Sequence, residues 1–452
     1  MNAILLGLLM LGAVSEPAEL RAGVARKVIT PEGPIWMAGF VARKRPSEGV
    51  VHDLWAKALA LEDARRQRVV IVATDLLSLP RAISDEVAAR AKQKYGLERS
   101  QLLLNSTHTH SGPVFLPNPI VGPDIDPLNQ QRLVRYRQRL VDDLVEVVGA
   151  ALADLRPATL AVGHGSAPFT MNRRQRTSKG IKLGANPAGP VDRDVPVLRV
   201  ATPEGKLRAV LFGYACHNTT VGGDGYQIHG DYAGFAQLDL EKALPGTTAM
   251  FLQLCGADQD PYPRKKLEYA VQHGKTLADA VERVLAGTLR PVHPAIRTAF
   301  EVIRLDFAHQ DRAVFEQELK GTDRFRKRRA EAVLAALDAG RPVWQVPVPV
   351  QAVGFGDNLV MLGLGGEVVV DYSLRLKHEY PHTNLIVAAY SNDVSCYIPS
   401  HRMLSEGGYE VIASMVYYAQ PGPLAENVEE TLIGACHRIL AKAGATTKNI
   451  TR

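Results

Sequence analysis

Apolar residues fall along this chain in short β-branched runs that alternate with longer stretches of helical period. Ala22–Pro31, Val69–Asp75, Leu102–Leu104, Thr159–Gly163, Val195–Val200, Ala209–Cys216, Ala249–Leu254, Leu359–Leu364 and Leu385–Ala389 read as strands. Asp53–Glu62 fits strand or helix. Helical spacing predicts Ser84–Tyr95 (closed by Gly96), Gln131–Leu155 (stopped before Pro157), Leu267–Ala286, Val368–Glu379 and Ala425–Ala441. Asp311–Gly340 reads as a basic helical region with a solvated face, or alternatively a contact surface for an anion, and Met171–Asp194 as a long polar loop suited to a lid or a binding loop. This alternation predicts an α/β fold, with a mixed β-sheet core flanked by helices. Between residues 22 and 445 neither a repeat nor a linker interrupts it, so one large domain is expected.

The strands share a way of ending. Five of them run out into polar groups that could bind a ligand: Asp75, His108 with His110, His217, Asp258 with Asp260, and Glu367. In open α/β sheets, sites form outside the carboxyl ends of the strands. The densest of these ends is Asn105-Ser-Thr-His-Thr-His-Ser-Gly-Pro113. Side chains alternate across a strand, so if the extended conformation continues, His108 and His110 face one site. Two neutral imidazoles on one face suit a transition metal, or one ligand plus one proton carrier; two loop histidines are the plain alternative. Taken together, the strand ends point to a metal or acid–base site.

Composition changes this picture little. Hydrophobic content of 46% and charged content of 22% describe a chain able to bury a large core. A net charge of +6 is compatible with an anionic substrate or surface. With no zinc knuckle, P-loop or basic-aromatic repeat, no nucleic-acid partner is expected. The apolar run Ala3–Val14 is too short to span a bilayer but fits a secretory signal, with Ala13 and Ser15 where cleavage would fall, although no Lys or Arg precedes it. Residues 1–17 are accordingly read as a signal peptide and 18–452 as the functional domain, secreted or periplasmic and without a transmembrane segment. A short buried N-terminal helix is the alternative. Cys216, Cys255, Cys396 and Cys436 show no CxxC spacing; they read as small buried hydrophobes, or as partners in a local bridge near the site.

Thr107-His-Thr-His-Ser-Gly-Pro113 resembles the THTHSGP signature of the neutral/alkaline non-lysosomal ceramidases. Other segments resemble that family in the same order: Asn172-Arg173, His217 followed by Gly230-Asp231-Tyr-Ala-Gly234, Gly365-Gly-Glu367, and Tyr390-Ser-Asn392 through Tyr397 to Tyr409-Glu410. The resemblance implies a zinc ion held by His108, His217, Glu367 and Tyr397. It places His110 beside that ligand set, where it would orient a ligand or carry protons, and makes Arg173 and Tyr409 donors to a developing oxyanion.

Two departures bear on the substrate. Where the family has Gly-Asp-x-Ser-Pro, this chain has Ala257-Asp-Gln-Asp-Pro261, so Asp260 stands in the serine's place. The chain also runs only to residue 452, without the C-terminal β-domain expected of full-length ceramidases. The expectation is therefore a zinc-dependent hydrolase that cleaves an amide in a small-molecule or lipid-like N-acyl compound other than long-chain ceramide. Asp260 would serve as general base, substrate contact or ligand. Hydrolysis of an ester or glycoconjugate, and a non-catalytic metal-containing binding protein, are the alternatives. A carboxylate at 260 facing an open pocket favours catalysis; one salt-bridged away favours binding.

Overall fold

Every residue from Val69 to Thr74 is buried, on both faces of the strand. A strand without a polar face belongs between two layers, and the computed structural model, which describes residues 20–115, 125–309 and 311–446, places it there. The first sheet is built from Leu20–Val28 (β1), Trp55–Glu62 (β2), Arg68–Thr74 (β3), Leu102–Ser106 (β4), Arg156–Ser166 (β5), Asp194–Ala201 (β6), Leu207–Tyr214 (β7) and Thr248–Gln253 (β8). Their order across the sheet is β8-β7-β6-β5-β1-β2-β3-β4, with Arg290–Pro291 pairing on β5. The β3–β4 and β7–β8 pairs are parallel, and the remaining pairs antiparallel. A second sheet, Ile296–Asp306 (β9), Gln345–Phe355 (β10), Leu359–Leu364 (β11) and Asn384–Ala388 (β12), runs in that order, with β11 and β12 parallel.

The two sheets share one apolar layer. Ile71 of β3 and Leu103 of β4 pack there with Phe355 of β10 and Met361 of β11. The alternate residues point the other way. Val70, Val72, Leu102 and Leu104 meet the helices Arg81–Tyr95 (α1) and Pro127–Ala153 (α2), while Val360, Leu362 and Leu364 meet Val370–Glu379 (α7) and Val428–Lys442 (α8). Asp231–Ala243 (α3) and Leu267–Ala286 (α4) cover β6, β7 and β8, and Arg312–Lys320 (α5) packs with Arg324–Asp338 (α6). The order of layers is helix, sheet, sheet, helix, which is the mixed sheet core flanked by helices that the pattern predicts. No helix among the described residues is long and apolar enough to cross a membrane.

Several boundaries move for identifiable reasons. α2 starts at Pro127 because Asp126 caps it, accepting from the Leu128 and Asn129 amides, with proline in the first turn. α7 starts at Val370 because Glu367–Val368 is drawn into a short parallel pairing with Tyr397–Ile398. Of Asp53–Glu62, the part Trp55–Glu62 resolves to strand. The expected polar loop holds Thr170–Asn172, paired with Gln259–Pro261, and the hairpin Arg174–Thr177 with Gly180–Leu183. β9 and β10 carry no clean sequence signal. β9 alternates buried and exposed positions only loosely, and Pro347 and Pro349 interrupt β10. Those prolines are tolerated because β11 pairs with β10 only from Val350 onward, leaving them a single neighbouring strand. The expected signal peptide, residues 1–17, lies outside the described residues. All four cysteines are buried and free.

Leu103 is fully buried in the layer between the sheets. Leu103→Ala should therefore lower stability by about 2–5 kcal/mol, read as a shift of the urea midpoint at unchanged slope.

Candidate active site

Strand β4 does not carry the two histidines as an extended continuation. It ends at Ser106, and His108 takes a left-handed backbone with φ of 63°. The segment after β3 imposes this turn. Its carbonyls at Thr74 and Leu76 accept from the amides of Thr107 and His108, and Leu77 O lies 2.7 Å from His108 Nδ1. His108 and His110 still converge, with their Nε2 atoms 3.1 Å apart, but through a turn instead of strand alternation. The His110 ring packs against Gly39, whose φ of 91° and missing Cβ make room; a methyl there would lie 2.4 Å from His110 Nδ1. His217 follows β7. The loop after the parallel strand β8 holds it twice, with Gln259 O accepting from its amide and Gly256 O facing Nδ1 at 2.8 Å.

These contacts fix tautomers. A backbone carbonyl only accepts, so His108 and His217 each carry their proton on Nδ1 and present a bare Nε2. Both bare nitrogens face Glu367 Oε2, at 3.2 and 3.1 Å. Glu367 sits behind Gly366, whose φ of 91° turns the chain inward, and its backbone pairs with that of Tyr397. The Tyr390 hydroxyl donates to Glu367 Oε2 at 3.1 Å, and the Tyr418 hydroxyl donates to Oε1. Tyr397 donates its hydroxyl to His217 Nε2 at 3.3 Å. The Tyr390 and Tyr418 hydroxyls that donate to it favour the ionised form of the Glu367 carboxyl against its burial. Burial lowers His217, and lowers His110 strongly, keeping both neutral. His108, His110 and His217 bring potential ligand atoms within 4.8 Å of one another. Lone pairs converging on an ionised carboxylate in a buried site are a donor set that fits a cation such as zinc.

Beside this centre lies Arg173, delivered by the pairing of Thr170–Asn172 with Gln259–Pro261. Its guanidinium donates from Nε to Glu410 at 2.9 Å, from Nη1 to Asp260 at 3.3 Å and from Nη2 to the Tyr397 oxygen at 3.0 Å. Burial works against its charge, but Tyr397, Asp260 and Glu410 hold it firmly protonated. Asp260 also accepts from Thr219 Oγ1 at 3.3 Å and from Arg264. Burial alone would raise the Asp260 carboxyl; Arg173 and Arg264 lower it on balance, so it is ionised. The Tyr409 ring lies 5.6 Å from the Arg173 guanidinium, and burial keeps its phenol protonated.

All of the predicted site residues border one cleft of about 970 Å³. Two of the predicted strand-end acids do not. Asp75 is buried under β2, accepting from the Trp55 amide and Gln237, and Asp258 accepts from Asn172 and from the Val370 amide that opens α7. Sequence reasoning gave no role to Glu410, which is fully buried and also accepts from Arg174, and it missed Tyr418 and Arg264 altogether. Arg264 could have been suspected from its position four residues beyond Asp260. Nothing in the spacing around Tyr418 singles it out.

The family model described as neutral/alkaline non-lysosomal ceramidase, N-terminal, matches residues 21–260. The neutral ceramidase of Pseudomonas aeruginosa is 28% identical over 274 residues, which make up 58% of this chain and 40% of that protein. The neutral ceramidase of Drosophila melanogaster is 26% identical over 236 residues, 50% of this chain and 32% of the fly protein. These alignments thus span less than half the length of either relative. The crystal structure of the Pseudomonas aeruginosa neutral ceramidase superposes with a TM-score of 0.73 at 19% identity, covering 96% of this chain and 76% of that one, a likeness of fold. The family match takes in more than half of the chain's 452 residues, and the protein belongs to the neutral/alkaline non-lysosomal ceramidase family.

Proposed function

We propose that this chain is a zinc-dependent hydrolase that cleaves the amide bond of N-acyl compounds. The observation that carries the reading is the pair of bare imidazole nitrogens turned onto an ionised, buried Glu367 beside Arg173. His108, His217, Glu367 and Tyr397 would hold the metal. When bound, zinc supplies Lewis acidity, polarising a carbonyl and easing the ionisation of water near neutral pH.

The chain's own groups do the rest. Arg173 uses three of its five N–H groups on Glu410, Asp260 and Tyr397, which leaves donors for the oxyanion that forms as water adds to the acyl carbon. The Tyr409 phenol borders the same space and donates there too. His110, neutral and next to His108, accepts a proton from the attacking water and returns it to the departing nitrogen as the C–N bond breaks. Asp260 is a poor base, because two guanidiniums hold it ionised. Its role is to position Arg173 and Arg264. Long-chain ceramide is a poor fit for a wall where a carboxylate and its arginines take the place of the family's serine. The apolar run Ala3–Val14 supports export of the chain. Because Asp260 is salt-bridged, a metal-holding binding protein is the second reading, and turnover by the zinc-loaded chain separates the two.

Purified protein should hold about one zinc per chain by elemental analysis. His108→Ala and His217→Ala should each lose it, whereas Asp260→Ala should keep the metal and lower kcat about 10–100-fold. Equal metal loss in all three variants would make Asp260 a ligand. Arg173→Ala should keep the fold and cost about 100-fold in kcat on N-acyl substrates, and long-chain ceramide should turn over slowly in the same assay.

The folded Asp260 pKa lies below its unfolded value, so the stability this group contributes is present above pH about 4 and is lost as pH falls through the folded pKa. Urea midpoints compared at pH 7 and pH 3 should fall less for Asp260→Asn than for the parent. The alkaline side of the activity profile should keep its shape in that variant.

A further inference from the structure

We propose that the cleft selects N-acyl substrates whose head group carries an anion, received by Arg264, Lys265 and Arg324. This rests on the hydrolase reading and adds to it the charge of the substrate. The segment that follows Asp260 folds back against the centre. The Lys265 amide donates to Thr220 O at 2.6 Å, three residues beyond His217, so the lysine is tethered close to the metal ligands. Lys265 has φ of 80°, a conformation that costs a non-glycine residue on the order of 1 kcal/mol and persists where the surroundings enforce it. Its ammonium is exposed, borders the cleft, and has no carboxylate partner among the described residues. Arg324, the first residue of α6, borders the same cleft, is exposed, and likewise has no carboxylate partner among the described residues. Arg264 commits Nη1 to Asp260, while its Nε is buried with no partner.

Among the described residues, the carboxylates on the cleft wall are already engaged and cannot serve as counter-ions. Asp260 already takes two guanidiniums, Glu367 faces the imidazoles and phenols, and Asp393 accepts from the Arg81 amide at 3.0 Å. The uncommitted charge of the cleft is therefore positive, and a low-dielectric cleft focuses that field on an entering ligand. The rest of the wall suits an acyl chain. Phe40, Val114 and Phe115 line it, and Val41 and Leu183 lie at its edge, 39% and 53% exposed. An apolar chain joined through an amide to a carboxylate or phosphate head meets both halves.

The test uses the zinc-loaded chain and three dodecanoyl amides: N-lauroylglycine, N-lauroyl-phosphoethanolamine and neutral N-lauroylethanolamine. It reads kcat/KM and, independently of turnover, binding by tryptophan emission, to which Trp36 on the cleft wall contributes. At least one anionic amide should exceed the neutral one about tenfold in both. Lys265→Ala with Arg324→Ala should reduce that ratio about tenfold through KM and Kd, as should 0.5 M salt. The better of the two anions identifies the head group. Equal binding of charged and neutral amides, or equal losses for all three in the double variant, overturns the proposal. Anion-selective binding without any hydrolysis would leave it standing and remove the hydrolase reading; hydrolysis without charge preference would do the reverse.

Discussion

A carboxylate with almost no exposure to water organises this molecule. Burying Glu367 in its ionised form costs several kcal/mol unless neighbouring groups replace the lost hydration. Two phenol hydroxyls donate to it, and the groups gathered round it come from every part of the chain. His108 leaves one parallel strand of the first sheet and His217 another, Tyr390 follows the last strand of the second sheet, and Tyr418 follows the short helix Ser414–Tyr417. These contacts can form together because the two sheets are locked face to face by their shared apolar layer, and the segments that follow β4, β7, β11 and β12 converge on one point. Core and site are thus coupled: the layer of Leu103 and Met361 sets the spacing over which the imidazoles and the carboxylate meet.

A second ring of charge surrounds the first. Arg173 would be destabilised by its burial if it stood alone; Glu410, Asp260 and the Tyr397 oxygen together keep it charged and aimed. Glu410 in turn is shared with Arg174, so two arginines in sequence are held by one buried acid on a wide helical turn. Tyr397 belongs to both rings, accepting from Arg173 and donating to His217. That single hydroxyl links the Arg173 guanidinium to the His217 imidazole. A change at either ring is transmitted to the other over one hydrogen bond.

Much of this was legible in the chain. Hydrophobic strands that end in His, Asp or Glu have no packing reason to do so, and that pattern led to His108, His217, Asp260 and Glu367. It also led to Asp75 and Asp258, which end strands equally well but are satisfied by backbone amides away from the cleft. Local pattern cannot separate an acid that caps a neighbouring segment from one that faces a pocket. The left-handed turn at His108 was illegible because the residues beneath it, 74 to 77, are distant in sequence. Prolines hid β10, since their cost depends on how many neighbours a strand has, and that is decided by the sheet. Tyr418 is a long-range partner of Glu367 with no periodicity of its own.

Position 260 is where charge reasoning changes the chemical picture most. A hydroxyl there would be a neutral group, free to donate or to attack. A carboxylate draws Arg264 onto itself and shares Arg173, converting an uncharged spot on the wall into part of a row of alternating charges. Such a row has to end somewhere, and it ends in a cation: Lys265, which follows Arg264, is exposed at the cleft and has no carboxylate partner among the described residues. The charge left uncommitted on the cleft wall is thus positive even though residue 260 is an acid. A ligand that supplies the missing negative charge completes the row, which is the physical reason to expect a charged head group where a neutral lipid would leave that cation facing only water.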